Sequence, residues 1–391
     1  MRRLAAAAVC ILGLACAGKA ADDGLANGGA SYLTLPLSAR AIGMGHAQTA
    51  VTDGDASAVY ANSALMALQL VHRAALTTGD LGLGRTITFA GYIFPLRTRN
   101  TNLETWCGKG GKSGIDNFLT PEEKKAVQKS STPDKLPDFL PCEPGTEKIN
   151  RPAPAPGHWD EMLSGTPHID MAFGAGFTYL GIRNLDGRSE FGAPESGFSD
   201  SEKSFAVEYA MRPYDNLSIG IGGKYLAQDL QTASAKGQGV DLGLWYGVPF
   251  IRRGELSLAV TGRDLGGKLK WKVPDPDLHA DFTYREPVSG KWIIGASYLT
   301  PGEAWLFAAD LLHAAGRKTR VYGGLEWRPG KVFNLRAGAS ANNPTFGFSW
   351  LLPGKKLDFQ LDYAYEYDLN SLSNPQWLTL TLHFLPGERA S

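Results

Sequence analysis

Apolar and polar residues alternate with a period of two along most of the chain beyond residue 70. In LDFQLDYAYEYD, residues 357–368, one set of alternate positions holds Leu357, Phe359, Leu361, Tyr363, Tyr365 and Tyr367. The other holds Asp358, Gln360, Asp362, Ala364, Glu366 and Asp368. In QWLTLTLHF, Leu378, Leu380, Leu382 and Phe384 oppose Trp377, Thr379, Thr381 and His383; in GVDLGLWYGV, Val240, Leu242, Leu244 and Tyr246 oppose Asp241, Gly243, Trp245 and Gly247. Successive side chains of a strand point to opposite faces, so this period predicts β-structure. About fourteen segments carry it, near 72–80, 86–96, 169–181, 203–212, 216–229, 236–249, 254–264, 290–299, 303–313, 318–328, 332–342, 344–353, 356–367 and 376–385. Most run about ten residues, the length a tilted strand needs to cross a bilayer and longer than the ~5–6 residues usual in soluble sheets.

Alternation alone fits both a soluble sheet, greasy face inward, and a membrane barrel, greasy face outward. Three features favour the barrel. The apolar faces end in aromatics (Tyr225, Tyr298, Trp305, Trp327, Tyr367), as interfacial girdles do. The opposite faces mix glycine with both signs of charge: Lys224, Asp241, Arg263, Asp310, Glu326, Arg336, Asp358, Asp362 and Glu366, the composition of a polar lumen. Tight Pro- and Gly-rich connections (RPYDN, PFIRRG, TPGE, RPGK, LPGKK) follow even-numbered segments, and several longer ones follow odd-numbered segments, so one rim is expected to carry short turns. The predicted fold is therefore all-β: a monomeric transmembrane antiparallel β-barrel of about 14 strands, with residues 21–70 as an N-terminal lumenal plug and residues 71–391 as the barrel. A secreted soluble all-β protein is the competing solution.

Composition narrows the partners. With 39 basic and 39 acidic residues and a sequence pI near 7.1, the chain lacks the excess of cations a nucleic-acid binder uses to displace counterions. Arg2 and Arg3, an apolar run and small residues predict a secretory signal peptide over 1–20, cleaved after Ala17, Ala20 or Ala21, with lipidation of Cys16 as a competitor. The destination is the outer membrane, whose lipid is then the first partner. Export would leave Cys107 and Cys142, expected to form one disulfide within a polar, Pro-rich insertion at 97–168. Strand parity puts that insertion on the short-turn, periplasmic rim; a miscounted early strand would put it outside.

Chemistry-bearing motifs are sparse. CGKGGKSG has Trp106 where a phosphate-binding loop needs glycine, and no H-E-x-x-H, G-x-S-x-G or C-x-x-C occurs. The seven histidines are scattered singly. No enzyme activity, cofactor or metal is expected. The row Asp358, Asp362, Glu366 could form a carboxylate dyad or cation site, or a solvated wall neutralised by inward Arg and Lys.

Residues 28–68 are rich in small side chains and do not alternate. The run ASYLTLPLSARAIGMGHAQTAVTDGDASAVYANSALMAL resembles the N-terminal signature of PorV/PorQ-type outer-membrane proteins, relatives of the FadL-type long-chain fatty-acid transporters. The matching positions are Ala39, Arg40, Met44, Gly45, Ala47, Thr49, Ala50, Asp55, Ala56, Asn62 and Ala64. Asn62-Ser63-Ala64 stands where the family usually has Asn-Pro-Ala, a departure expected to loosen the local turn. Arg40 either pairs with a lumen carboxylate or sits as a surface cation at the plug's edge. The resemblance implies an adaptor that shuttles exported proteins in a type IX-like secretion pathway, with secretion-system subunits as partners. The alternative it implies is FadL-like passive transport of a hydrophobic small molecule. A transporter should enclose an apolar pocket between plug and wall; the predicted lumen is mostly polar, which tilts the expectation to the adaptor.

Overall fold

The computed structural model describes residues 30–96, 170–185, 187, 197–249, 254–275, 280–314, 317–341, 343–369 and 373–385. The expected signal segment 1–20 and the expected insertion at 97–168, with Cys107 and Cys142 and their expected disulfide, lie outside the described residues.

Fifteen antiparallel strands form one sheet: β1 (His72–Gly82), β2 (Arg85–Leu96), β3 (Asp170–Leu185), β4 (Phe198–Tyr214), β5 (Leu217–Leu230), β6 (Ala233–Gly247), β7 (Glu255–Asp275), β8 (Ala280–Pro287), β9 (Lys291–Leu299), β10 (Trp305–Ala314), β11 (Arg320–Trp327), β12 (Phe333–Ser340), β13 (Asn343–Leu352), β14 (Leu357–Glu366) and β15 (Gln376–Phe384). β1 pairs with β15 and β6 with β7, so the sheet closes into a barrel. β8 and β9 share one position in it: β9 pairs with Glu255–Arg263 of β7, and β8 with its continuation Lys268–Asp275. The wall is thus a closed 14-strand barrel in which one position is split. Each predicted segment coincides with a strand; β8 and the far half of β7 were not anticipated, because in KLKWKVPDPDLHADFTYREP the outward positions are charged or polar and proline interrupts the run.

The faces are oriented as a membrane barrel requires. Leu380 is 38% exposed and Ile294 56%, whereas Asp362, Glu326 and Thr379 are completely buried. Trp305 and Trp327 stand opposite each other on β10 and β11, exposed and stacked at 5.8 Å, an interfacial pair of the kind that girdles such barrels.

The rim where β1 starts and β15 ends, here the near rim, carries the tight connections at 215–216, 248–254, 300–304, 328–332 and 353–356, and β2 ends and β3 begins there. The far rim is mixed: longer connections follow β3 (186–197) and β14 (367–375), but three others, 83–84, 231–232 and 341–342, are two residues long, and its extra height comes from the strands. β3 to β7 run 14–21 residues, against 8–10 for β8 to β15.

Residues 30–69 lie within this wall as short helices: a 3-10 turn at Ser31–Thr34, α1 (Ala39–Gly43), α2 (Ala58–Ala61) and a 3-10 helix at Ser63–Leu68. α1 packs against β12 to β15 and the last helix against β2 to β6, so the segment reaches across the interior to opposite arcs.

Candidate functional site: the barrel interior

The N-terminal segment approaches the wall through glycine. Gly45 has φ +62°, and its N–H donates to Thr345 Oγ1 at 3.1 Å. A Cβ on Gly324 of β11 would stand 2.2 Å from the Met44 carbonyl oxygen, and one on Gly338 of β12 would stand 2.3 Å from the Gly45 nitrogen. Backbone therefore lies on backbone here, which only glycine on both sides allows.

Each resemblance residue has a defined place. The Ala39 N–H donates to Thr379 Oγ1 at 2.8 Å. Thr49 donates through its hydroxyl (2.7 Å) and its N–H (3.0 Å) to Asp310 Oδ2. Asp55 accepts from the Ser38 hydroxyl and from the Ser57 N–H at 2.7 Å. Asn62 Oδ1 accepts from the Ala64 N–H at 3.1 Å, capping the last helix, while its Nδ2 donates to the Thr49 carbonyl at 3.0 Å. Ser63 does not loosen this turn: the cap forms without proline, as N-cap chemistry allows. Ala64 and Met44 are fully buried.

Two buried ionic clusters flank the segment. In the first, Arg40 grips Glu326 of β11 with Nε and Nη2, both at 3.0 Å, and Asp53 with Nη2 at 2.9 Å and Nη1, the latter to the Asp53 carbonyl at 2.6 Å. Glu326 also accepts from Arg336 at 2.5 Å and Arg328 at 2.8 Å; Arg336 reaches Asp362 at 2.8 Å and Ser349 at 2.9 Å; and Arg328 closes the ring on Asp53. Three guanidinium groups face three carboxylates, so burial is offset by complete pairing. Of the two placements weighed for Arg40, the structure has the buried one, 6% exposed and paired with a wall carboxylate. At the rim, burial alone would raise the Asp53 carboxyl, but Arg328 and Arg40 outweigh it and hold that carboxyl well below the usual range.

In the second cluster, Lys224 of β5 contacts Asp241 of β6 at 2.6 Å and Asp264 of β7 at 2.9 Å, and Lys291 of β9 contacts Asp264 at 2.9 Å. Arg263 and Lys291 donate to the Leu33 carbonyl at 3.0 and 2.7 Å, which the Tyr60 hydroxyl also reaches. The Tyr60 ring sits 4.4 Å from Lys224 Nζ and 4.0 Å from the Arg263 guanidinium carbon, a cation–π arrangement. Adjacent residues Arg263 and Asp264 both point inward because β7 bulges: Asp264 has φ +57°, Gly266 has φ +65°, and the register with β6 shifts there.

The predicted acidic row does not act as one unit. Asp358 accepts from the Gly354 N–H at 2.8 Å and closes the β13–β14 turn; Asp362 pairs with Arg336; Glu366 contacts His46 at 3.1 Å and Asn343 at 3.1 Å. They serve three separate structures, so neither a dyad nor a cation site forms. Among the described residues no group of three or more His, Cys, Asp or Glu is placed to hold a metal. Sequence reasoning missed Asp53, Asp264, Lys291, Arg328 and Tyr60. RDLGG, where alternation fails beside two glycines, was the available signal for Asp264.

Toward the far rim the interior turns apolar. Tyr32, Leu33 and Leu37 of the segment pack in one buried cluster with Leu81, Ile87, Leu180, Leu226, Leu269 and Trp271 of the wall. The lumen was expected to be mostly polar; the correction is that a polar middle layer lies beneath an apolar one. A cleft within the segment, about 360 Å³ including solvent at its mouth, is lined by Arg40, Met44, Asp55 and their neighbours.

No family model matches the chain, and no curated protein matches it in sequence. Solved structures with a similar chain path include the Pseudomonas putida toluene transporter TodX (11% identical, 88% of this chain and 95% of that one, TM-score 0.45). The Ralstonia pickettii toluene transporter TbuX is 12% identical over 89% of this chain and 98% of its own, with TM-score 0.43. A Pseudomonas aeruginosa FadL homologue is 11% identical over 88% and 97%, with TM-score 0.42.

Proposed function

We propose that the protein is an outer-membrane barrel through which hydrophobic small molecules pass, closed at rest by residues 21–70 acting as a plug, with 1–20 as its export signal and 71–391 as the wall. The observation that carries this is the apolar cluster between segment and wall. Leu226, Leu269 and Trp271 on the wall, with Leu33 and Leu37 opposite, are the lining a greasy ligand needs, and the segment's own side chains now fill it. Displacement of Leu33 and its neighbours would exchange one apolar occupant for another, at little cost in exposed surface. TodX and TbuX are named as toluene transporters; the ligand class proposed here rests on the cluster itself. No catalysis is assigned.

The PorV/PorQ-type adaptor role is disfavoured on a specific ground. Ala39, Met44, Thr49, Asp55, Asn62 and Ala64 are buried and bonded within the barrel, so they offer no surface to an exported protein. The test is saturable binding of toluene or a long-chain fatty acid to the purified barrel, compared with a Leu226→Gln, Leu269→Gln variant. Binding that weakens at least about tenfold in the variant supports the proposal. Absence of binding, together with co-purifying secretion subunits, would restore the adaptor.

A further inference from the structure

The outward face of β6 to β8, just past the lipid-facing belt on the far rim, is basic. Lys236 of β6, Lys268, Lys270 and Lys272 of β7, and Arg285 of β8 are all exposed. Lys236 pairs in register with Lys270, and Lys270 with Arg285, so three cations stand directly opposite one another on adjacent strands. Like charges so placed repel, since cross-strand Cβ atoms are only about 5 Å apart. None of the five forms an ion pair among the described residues. The neighbouring anions do not relieve the row: Asp229 is taken by Lys203 at 3.2 Å, Glu286 is turned to the Trp271 indole at 2.7 Å, and Asp281 lies at the far end of β8. A chain with equal numbers of acidic and basic residues has thus gathered five cations on one face.

Their height identifies the counter-charge. On β6 the outward residues Val240, Leu242 and Leu244 are exposed and apolar, and Lys236 follows four residues beyond Val240. On β7, Lys268 to Lys272 lie three to seven residues past Leu265, roughly 10–23 Å along a strand rising ~3.3 Å per residue and less in height because barrel strands tilt. The row therefore begins in the headgroup zone, about 5–8 Å deep, and continues past it, where the phosphates of a large anionic headgroup would meet the ammonium groups while its tails cover Val240 and Leu242.

We propose that this face is a docking surface for a phosphorylated lipid headgroup of the surrounding membrane. It rests on the membrane-barrel fold and not on transport of any ligand. An anionic lipid seated across Lys236, Lys270 and Arg285 neutralises the repelling row and anchors the tall arc of the wall.

The test uses the full-length protein in phosphatidylcholine nanodiscs, with lipid A added as the probe and bound lipid measured after washing at low and high salt. Selective, salt-sensitive retention of lipid A is expected, falling at least about tenfold in Lys236→Gln, Lys270→Gln, Arg285→Gln. Thr283→Glu, which supplies an internal anion beside Lys272 and removes no cation, is expected to weaken retention as well. Lys355→Gln on the near rim is the control and keeps it. Heat-modifiable gel mobility confirms that each variant folds. Equal retention by the parent and triple variant overturns the proposal and leaves the lysines as solvated surface charge. Displacement of lipid A by millimolar inorganic phosphate also overturns it, in favour of a free-anion site. A protein that embeds in the nanodisc without lipid preference refutes the docking surface alone, whereas one that fails to embed refutes the membrane reading.

Discussion

The two ionic clusters inside the barrel look alike in composition and differ in ownership. The Asp264 cluster is built from wall side chains on β5, β6, β7 and β9, and the N-terminal segment adds only the Leu33 carbonyl and the Tyr60 ring. The Glu326 cluster is shared: Arg40 and Asp53 come from the segment, and Glu326, Arg328, Arg336 and Asp362 from the wall. The first holds strands together at a bulge; the second fastens the segment to the wall. Charge pairing thus does two jobs in one lumen, and perturbation should separate them.

The largest effect is expected at Asp264. Asp264→Ala leaves Lys224, Lys291 and Arg263 facing Asp241 alone, a loss of about 3–5 kcal/mol for a broken buried pair. The barrel should lose its heat-resistant gel mobility at lower temperature while a protease gains no earlier access to residues 39–62. Arg40→Ala should reverse that order, because the wall keeps Arg336 and Arg328 on Glu326 and only the segment is released: proteolysis within 39–62 precedes any loss of barrel mobility. Gly324→Val should act like Arg40→Ala by a steric route, its Cβ driving Met44 and Gly45 from the wall at about 1–3 kcal/mol. A smaller change, about 1 kcal/mol, is expected for Thr49→Val, since Asp310 keeps the Thr49 and Gln48 N–H groups after the hydroxyl is gone.

Acid should give the smallest effect. The folded Asp53 carboxyl is held below its ordinary value of about 4, so its contribution is complete above that value and is lost as pH falls through the lower folded one. Asp53 is partly open to solvent, which screens the effect. Protease access to the segment should stay constant from pH 7 to 5 and rise only well below 4. A rise near pH 6 would show that a different group governs release.

What the sequence revealed follows from periodicity. Leu378, Leu380 and Leu382 against Thr379, Thr381 and His383 report a two-faced strand without any knowledge of its neighbours, because alternation is a local property of the pleat; that the greasy face meets lipid rested on the aromatic ends and the charged opposite faces of the whole set. β8 escaped because its outward residues, Thr283 and Arg285, stand above the belt, where nothing compels apolar residues outward. The interior was harder to read. Alternation alone does not distinguish Asp358, which closes its own turn through Gly354, from Asp362, whose partner Arg336 is set by strand register, or from Glu366, whose partner His46 comes from the N-terminal segment. Arg40 was legible only as one of two things, a buried cation needing a carboxylate or a surface cation, and neither reading named Glu326. The apolar layer was missed because Leu226, Leu269 and Trp271 are the inward members of strands whose outer faces there are polar, the reverse of the belt below.

The split position opposite β7 also bears on how such a wall can vary. Fifteen runs of chain occupy fourteen seats, so the circumference is unchanged, since diameter follows the number of strands around the ring. An interruption of this type adds stature on one side without adding girth, and it leaves the start of the first strand and the end of the last at the same mouth. Lengthening can therefore proceed one arc at a time, with no need to turn every later strand inside out.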